Sequence, residues 1–259
     1  MADRAPALPV ASLGFADWYL LGVALPVGSF VGVVVERLPE DGARLTGRSR
    51  CPHCGVSLTV RDLVPLASWL AMRGRCRHCG AWLGWFYPGV ELAALAIALL
   101  SLAIDRGAQA WIDAALGWWL LALAWIDWRH MILPDALTLP LIPFGLVVAA
   151  TLQPEELWDA LIGVACGYLG LRAIAWSYHR LTGRDGLGLG DAKLLAAAGA
   201  WVGASGLPSV VAGAALAGLA AAGAMLLAGQ RLDRHTALPF GPFLAGAIWL
   251  VWLFGPIAF

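Results

Sequence analysis

The chain has 259 residues, of which 60% are apolar and 13% charged, with 17 basic side chains balancing 17 acidic ones. Average globular proteins carry about 25% charge, so this composition excludes an ordinary soluble enzyme and indicates a protein that crosses a membrane several times. A net charge of zero removes the electrostatic basis for a nucleic-acid partner.

At the N-terminus, Asp3 offsets Arg4 and no basic region precedes the apolar run, so no cleavable signal peptide is expected and the first segment reads as a retained anchor. A spanning helix needs roughly 20 mostly apolar residues. About eight segments approach this, near 18–36, 88–104, 110–127, 136–152, 157–178, 191–205, 207–228 and 239–257, with breaks at 105–107, 153–156 and 206–208. Seven spans are the alternative, because the sixth and seventh segments are nearly continuous. The expected fold is an all-α polytopic membrane protein, since only helices or a closed barrel satisfy backbone polar groups in lipid. Three regions follow: 1–36 with the first helix, a water-exposed loop over 37–87, and a membrane bundle over 88–259. Fourteen basic residues fall in loops 37–87, 128–135, 179–190 and 229–238 or at their edges. Only Arg4 and Arg106 lie in the opposite loops, and Arg172 sits inside the fifth span. From this bias the four loops are expected to face the cytoplasm.

The first loop contains Cys51-Pro52-His53-Cys54-Gly55 and Cys76-Arg77-His78-Cys79-Gly80, with twenty-one residues between Cys54 and Cys76. Two C-x-x-C knuckles at this spacing can place four thiolates tetrahedrally around one Zn²⁺, and the glycine after each pair permits the tight turn. A cytoplasmic location disfavours disulfides. The alternatives are redox-active thiols or cysteines without a ligand. His53 and His78 read as exposed knuckle residues, because four sulfurs already close the shell. Such a site has no open coordination position, so the metal would fold the loop rather than catalyse.

Ionisable groups at spanning helices are costly and tend to be functional. Asp127 ends the third span and Asp191 begins the sixth, after Gly186-Leu187-Gly188-Leu189-Gly190. Two carboxylates brought together share one proton, so one takes a proton from water while the other donates to a scissile carbonyl. The competing readings are an interfacial Asp127 paired with Arg129 and an Asp191 that caps its helix. Asp135, directly before an apolar run, reads first as the cap of the fourth span and second as a third catalytic candidate. Lys193 either holds a nearby negative charge or is an interfacial cation. Cys166 reads as a buried inert thiol. Gly213, Gly218 and Gly223 read as helix-packing positions.

Taken together, these residues resemble the type IV prepilin peptidase family, also called leader peptidase/N-methyltransferase. The resemblance is carried in order by Gly28-Ser29-Phe30 through Arg37-Leu38-Pro39, then Ser49 to Cys54, Pro65, Ser68-Trp69 and Gly74 to Cys79. It continues through Tyr87-Pro88 with Glu91, Asp127 with Pro134-Asp135, Gly188-Leu189-Gly190-Asp191, and Pro239-Phe240-Gly241-Pro242-Phe243. It implies that Asp127 and Asp191 are the catalytic pair and that the substrate is the leader of a prepilin or pseudopilin, cut after a glycine. It further implies N-methylation from S-adenosylmethionine; Glu91 is the candidate support for methyl transfer, the alternative being an interfacial carboxylate paired with a loop Arg. The implied setting is the bacterial inner membrane beside type IV pilus or type II secretion machinery. Two positions depart from the family pattern, Gly32 where Asn is usual and Phe86 where Arg is usual. Both lie in the half linked to methylation, so a peptidase without methyltransferase activity is the nearest alternative. A proton-coupled transporter would need inverted repeats, which the sequence lacks in convincing form, and would leave the cysteine loop unexplained; on a membrane scaffold without catalysis, the pairing of Asp127 and Asp191 at one face would be accidental.

Overall fold

The structure, a computed structural model, describes residues 14–39, 47–183, 188–230 and 238–256. Arg4, Arg44, Arg184, Arg231 and Arg234, with Gly186 and Leu187 of the glycine run, lie outside the described residues. The described chain forms α1 (Phe15–Arg37), α2 (Ala67–Ala71), α3 (Phe86–Ile104), α4 (Ala108–His130), α5 (Asp135–Leu152), α6 (Leu157–Thr182), α7 (Leu189–Leu227) and α8 (Gly241–Phe254). Among the described residues six helices are long and apolar enough to cross a membrane, and α8 is a shorter apolar helix. The eight apolar segments of the sequence therefore map onto seven helices, two of them falling on α7.

That pairing has a physical cause. At 39 residues α7 would be about 58 Å long if straight, roughly twice the ~30 Å hydrocarbon core. It is broken at Gly203, where φ is 70° and ψ 174°. The sequence suggested a break at 206–208; it falls earlier, because the left-handed backbone is accessible to glycine and helix continues through Pro208. Asp159, in the first turn of α6, occupies the notch. A Cβ on Gly203 would lie against its carboxylate, which accepts hydrogen bonds from the N–H (3.4 Å) and Oγ (3.0 Å) of Ser205. An acidic side chain from a neighbouring helix thus satisfies donors that the second arm of α7 would otherwise leave exposed at its start.

The chain divides into two compact units between Ala122 and Leu123, within α4. In the first, α1 and α3 pack at Gly28, where a Cβ would come 2.7 Å from Glu91 Cα, and Trp118 Nε1 donates to the Ala94 carbonyl at 2.9 Å. Leu20, Ala24, Ala98, Ala110 and Ala114 fill the core around that bond. In the second, α7 contacts α5, α6 and α8. Backbones meet at Gly163 and Gly199, where a Cβ on Gly199 would lie against the Gly163 carbonyl, and at Gly167 against the Leu195 carbonyl. Gly145 makes room for the Trp201 ring, whose Nε1 donates to the Leu141 carbonyl at 2.9 Å. The three glycines singled out from sequence are less critical. A Cβ on Gly213 or Gly218 would meet only a side chain, at 3.4 and 3.6 Å, and Gly223 faces open space. Cys166, expected to be buried, is exposed on α6.

The Gly163–Gly199 contact yields a stability test. Gly199→Val places side-chain atoms where the α6 backbone runs, and overpacking of this kind costs about 2–3 kcal/mol. Gly223→Val is expected to leave the thermal midpoint in detergent within a degree or two of the parent, while Gly199→Val lowers it clearly.

Candidate functional site

The second unit gathers the ends of four helices around two carboxylates. Asp127 lies in the last turn of α4 and is 6% exposed. Its Oδ2 accepts a 2.9 Å hydrogen bond from the N–H of Gly241, the first residue of α8. A Cβ at Gly241 would stand 2.7 Å from that oxygen, so glycine is what lets the α8 N-terminus approach the acid. Helix N-termini present unsatisfied N–H groups and a positive dipole end, which suits an anionic side chain.

Asp191 is the third residue of α7, not its N-cap. Gly188 holds the cap position with an extended backbone, and its N–H donates back to the Asp191 carboxylate. Gly190 faces the turn between α4 and α5, where a Cβ would lie 2.8 Å from Leu133 Cβ. The two glycines of the G-x-G-D run thus do different work: one donates to the aspartate, the other lets the α4–α5 turn pack against the start of α7. That turn is sharp, with Met131 at φ 55°. Half-buried Asp191 lies within electrostatic range of Asp127.

Asp135 is the first residue of α5 rather than its cap, which is Pro134, and it pairs with Lys193 Nζ at 2.5 Å. Of the two roles considered for Lys193, it therefore holds a negative charge. The ion pair ties the first turn of α5 to the second turn of α7, two residues past Asp191. Sequence pattern gave no sign of Gly241 as a donor to Asp127, because 114 residues separate them.

In the first unit the two cysteine knuckles repeat one geometry. Cys51 N–H donates to the Val56 carbonyl and Gly55 N–H to the Cys51 carbonyl; Cys76 N–H donates to Ala81 and Gly80 N–H to Cys76 in the same way. Gly55 and Gly80 both have φ of 70°. The four sulfurs of Cys51, Cys54, Cys76 and Cys79 lie within 4.8 Å of one another, and Cys51 Sγ and Cys79 Sγ are 3.9 Å apart. Metal–sulfur bonds of about 2.3 Å in a tetrahedron require sulfurs about 3.8 Å apart, so the cluster could hold one ion. Backbone N–H groups of Cys79 and His78 pull the Cys76 thiol down to about 6. The Ala81 N–H pulls Cys79 down too, but loss of solvent and the three neighbouring sulfurs outweigh it, and Cys79 is pushed up to about 11. Such crowding of thiols is relieved when a cation replaces their protons. Exposed His53 and His78 stay outside the cluster; His53 Nε2 instead bonds the Trp82 carbonyl at 3.2 Å.

A cavity of about 280 Å³ opens beside the knuckles, walled by parts of α1, the loop and α3. Glu91 stands in it, 6% exposed, accepting hydrogen bonds from the Leu66 N–H (2.8 Å) and the Ser29 hydroxyl. Arg50, Trp69, Arg77 and Tyr87 also line it. Gly32, one of the two departures, faces the Tyr87 ring, which would lie 3.6 Å from a Cβ there. The other, Phe86, stacks edge-on to Tyr87, with ring centroids 5.2 Å apart.

Residues 114–223 match the type IV leader peptidase family, and residues 22–104 match the bacterial peptidase A24 N-terminal domain. A protein of Stutzerimonas stutzeri named prepilin leader peptidase/N-methyltransferase is 38% identical, over 91% of this chain and 89% of its own length. Similarly named proteins of Aeromonas hydrophila (40% identity, 90% and 88% coverage) and Burkholderia pseudomallei (42%, 88% and 82%) are also similar. No solved structure matches.

Metal analysis tests the cysteine cluster directly. The purified chain is expected to carry about one tetrahedrally bound ion, and Cys51→Ser with Cys54→Ser is expected to abolish binding. Prolonged chelation should raise protease sensitivity within residues 47–85 before it affects the helices.

Proposed function

This chain belongs to the type IV leader peptidase family, and from that premise we propose that it removes the leader of prepilins or pseudopilins with Asp127 and Asp191, then methylates the new N-terminus. The observation that carries the peptidase reading is the approach of two carboxylates at converging helix ends, each held by a backbone N–H. One carboxylate, ionised, takes a proton from water as the water oxygen bonds to the scissile carbonyl carbon. The other, protonated, gives its proton to the carbonyl oxygen. Collapse of the tetrahedral intermediate breaks the C–N bond: one hydroxyl returns its proton to the second carboxylate as the carbonyl reforms, and the departing amine takes up the proton drawn from water. No bond to the protein forms. The hydrogen bonds from Gly241 and Gly188 hold the carboxylates in place, and the Asp135–Lys193 pair keeps α5 against α7 at the same end. Loop charge supports placing this end at the cytoplasmic face of the inner membrane, where a pilin's polar leader meets its apolar helix.

Zn²⁺ is the ion that four cysteine sulfurs at this spacing suit best, in a structural role. It would give the loop a core that its few apolar residues cannot supply. The first-unit cavity suits S-adenosylmethionine in chemistry. Its carboxylates complement the donor's sulfonium and ammonium charges, its arginines the donor's carboxylate, and Trp69 and Tyr87 offer aromatic faces to a cation or an adenine ring. When bound, that donor supplies an electrophilic methyl group. Glu91, fixed by Ser29 and Leu66, would orient the incoming amine and accept its proton.

Two measurements test these assignments. Leader cleavage of a pilin-like precursor in liposomes should be lost in Asp127→Asn and in Asp191→Asn while both remain folded; normal cleavage by either variant would remove that residue from the pair. Glu91→Gln keeps an acceptor for Leu66 but removes the charge. Its binding of S-adenosylmethionine itself, whose sulfonium cation the carboxylate would face, measured by calorimetry without a pilin substrate, should weaken about tenfold, the equivalent of one charge-assisted contact of roughly 1.4 kcal/mol. Unchanged binding would place the donor elsewhere.

A further inference from the structure

Neither the metal cluster nor the acid pair explains the outer surface of the cysteine loop. Between its two knuckles, residues 60–70 run through a short 3₁₀ turn and α2, and they expose large apolar side chains rather than burying them. Val60 is 81% exposed, Leu70 65%, and Leu63 and Val64 are exposed as well. Trp85, 67% exposed, immediately precedes α3 and forms a triad with Trp69 and Trp82, ring centroids 4.6–5.7 Å apart. In water such a surface would be an unexplained liability.

The depth of this segment is fixed by its attachment. Leu66 N–H bonds Glu91, five residues into α3, or about 7–8 Å along the helix from Phe86. Glu91 in turn packs on Gly28, nine residues before α1 ends at Arg37, or about 13–14 Å from that end. Leu66 adopts φ 54°, a conformation that costs a non-glycine residue energy and that this attachment holds in place. The segment is therefore drawn down beside the walls of two spanning helices rather than standing above them in water. Its charge points to one kind of neighbour. Residues 47–85 hold six arginines, all exposed, against the single carboxylate of Asp62, which already pairs with Arg77 at 3.0 Å.

We propose that residues 60–70, with Trp82 and Trp85, are seated in the headgroup layer of the bilayer that α1 and α3 cross, with Arg61 and Arg73 against anionic phospholipid phosphates. Apolar side chains and tryptophan rings enter the acyl boundary, while the arginine heads stay at phosphate level. The loop then rests on lipid as a monotopic element.

The test uses the full chain in nanodiscs of phosphatidylglycerol or of phosphatidylcholine, each doped with a phospholipid bearing a diazirine next to the glycerol backbone. After illumination, peptides are mapped by mass spectrometry. Adducts are expected on residues 60–70 and around Trp85, several-fold more abundant in phosphatidylglycerol. Arg61→Ser with Arg73→Ser should abolish that preference while adducts persist. Exposed Trp176 on α6 serves as the lipid-facing control. Adducts at Trp176 with none on residues 60–70 would overturn the proposal, as would cross-links from residues 60–70 to a second copy of the chain in place of lipid. Equal labelling in the two lipids would overturn the assignment of anionic headgroups.

Discussion

The hydrogen bond from the Gly241 N–H to Asp127 joins positions 114 residues apart and is the constraint on which the second unit turns. A carboxylate buried at the end of a spanning helix needs donors, and lipid offers none. The start of α8 supplies one, and only a residue without a Cβ can bring that backbone close enough. The same solution recurs at Asp191, where the donor is the cap glycine of its own helix. Both acids are thereby held by backbone, which has little freedom to relax, rather than by long side chains that do. Preorganisation of this kind is what acid–base chemistry requires of its carboxylates.

Holding α7 in register is the second requirement, and small residues meet it. The α6–α7 interface brings backbone against backbone at Gly163, Gly167 and Gly199, so the first arm of α7, with Asp191 at its start, has little freedom to slide. Asp159 at the Gly203 notch allows the helix to change direction without leaving the Ser205 N–H unsatisfied. The first arm can therefore be set by α5 and α6 while the second arm follows its own course.

The first unit faces a different problem. A loop with few apolar residues facing inward cannot bury enough surface to order itself, and two matching knuckles around four sulfurs provide the missing core. Once ordered, the loop closes a cavity over α1 and α3 through the Leu66–Glu91 bond. Glu91 thus serves the architecture whether or not it also serves methyl transfer, and the apolar side chains the loop turns outward become intelligible beside a bilayer.

The amino-acid sequence by itself determined the helical, membrane-spanning class, the positions of the apolar segments to within a few residues, the four-cysteine pattern and the family resemblance. Each of these is written locally, in runs, spacings or short motifs. Tertiary structure alone decided what depends on distant partners. It moved the break in α7 from 206–208 to Gly203, because the notch is shaped by Asp159 on another helix. It gave Lys193 to Asp135 and Gly241 to Asp127, and it placed Glu91 under Leu66. It also sorted the glycines, since Gly199 and Gly223 look alike in an alanine-rich run and differ only in what lies opposite. A missing Cβ acquires meaning from the neighbour that fills its place, and that neighbour is set by how the helices pack.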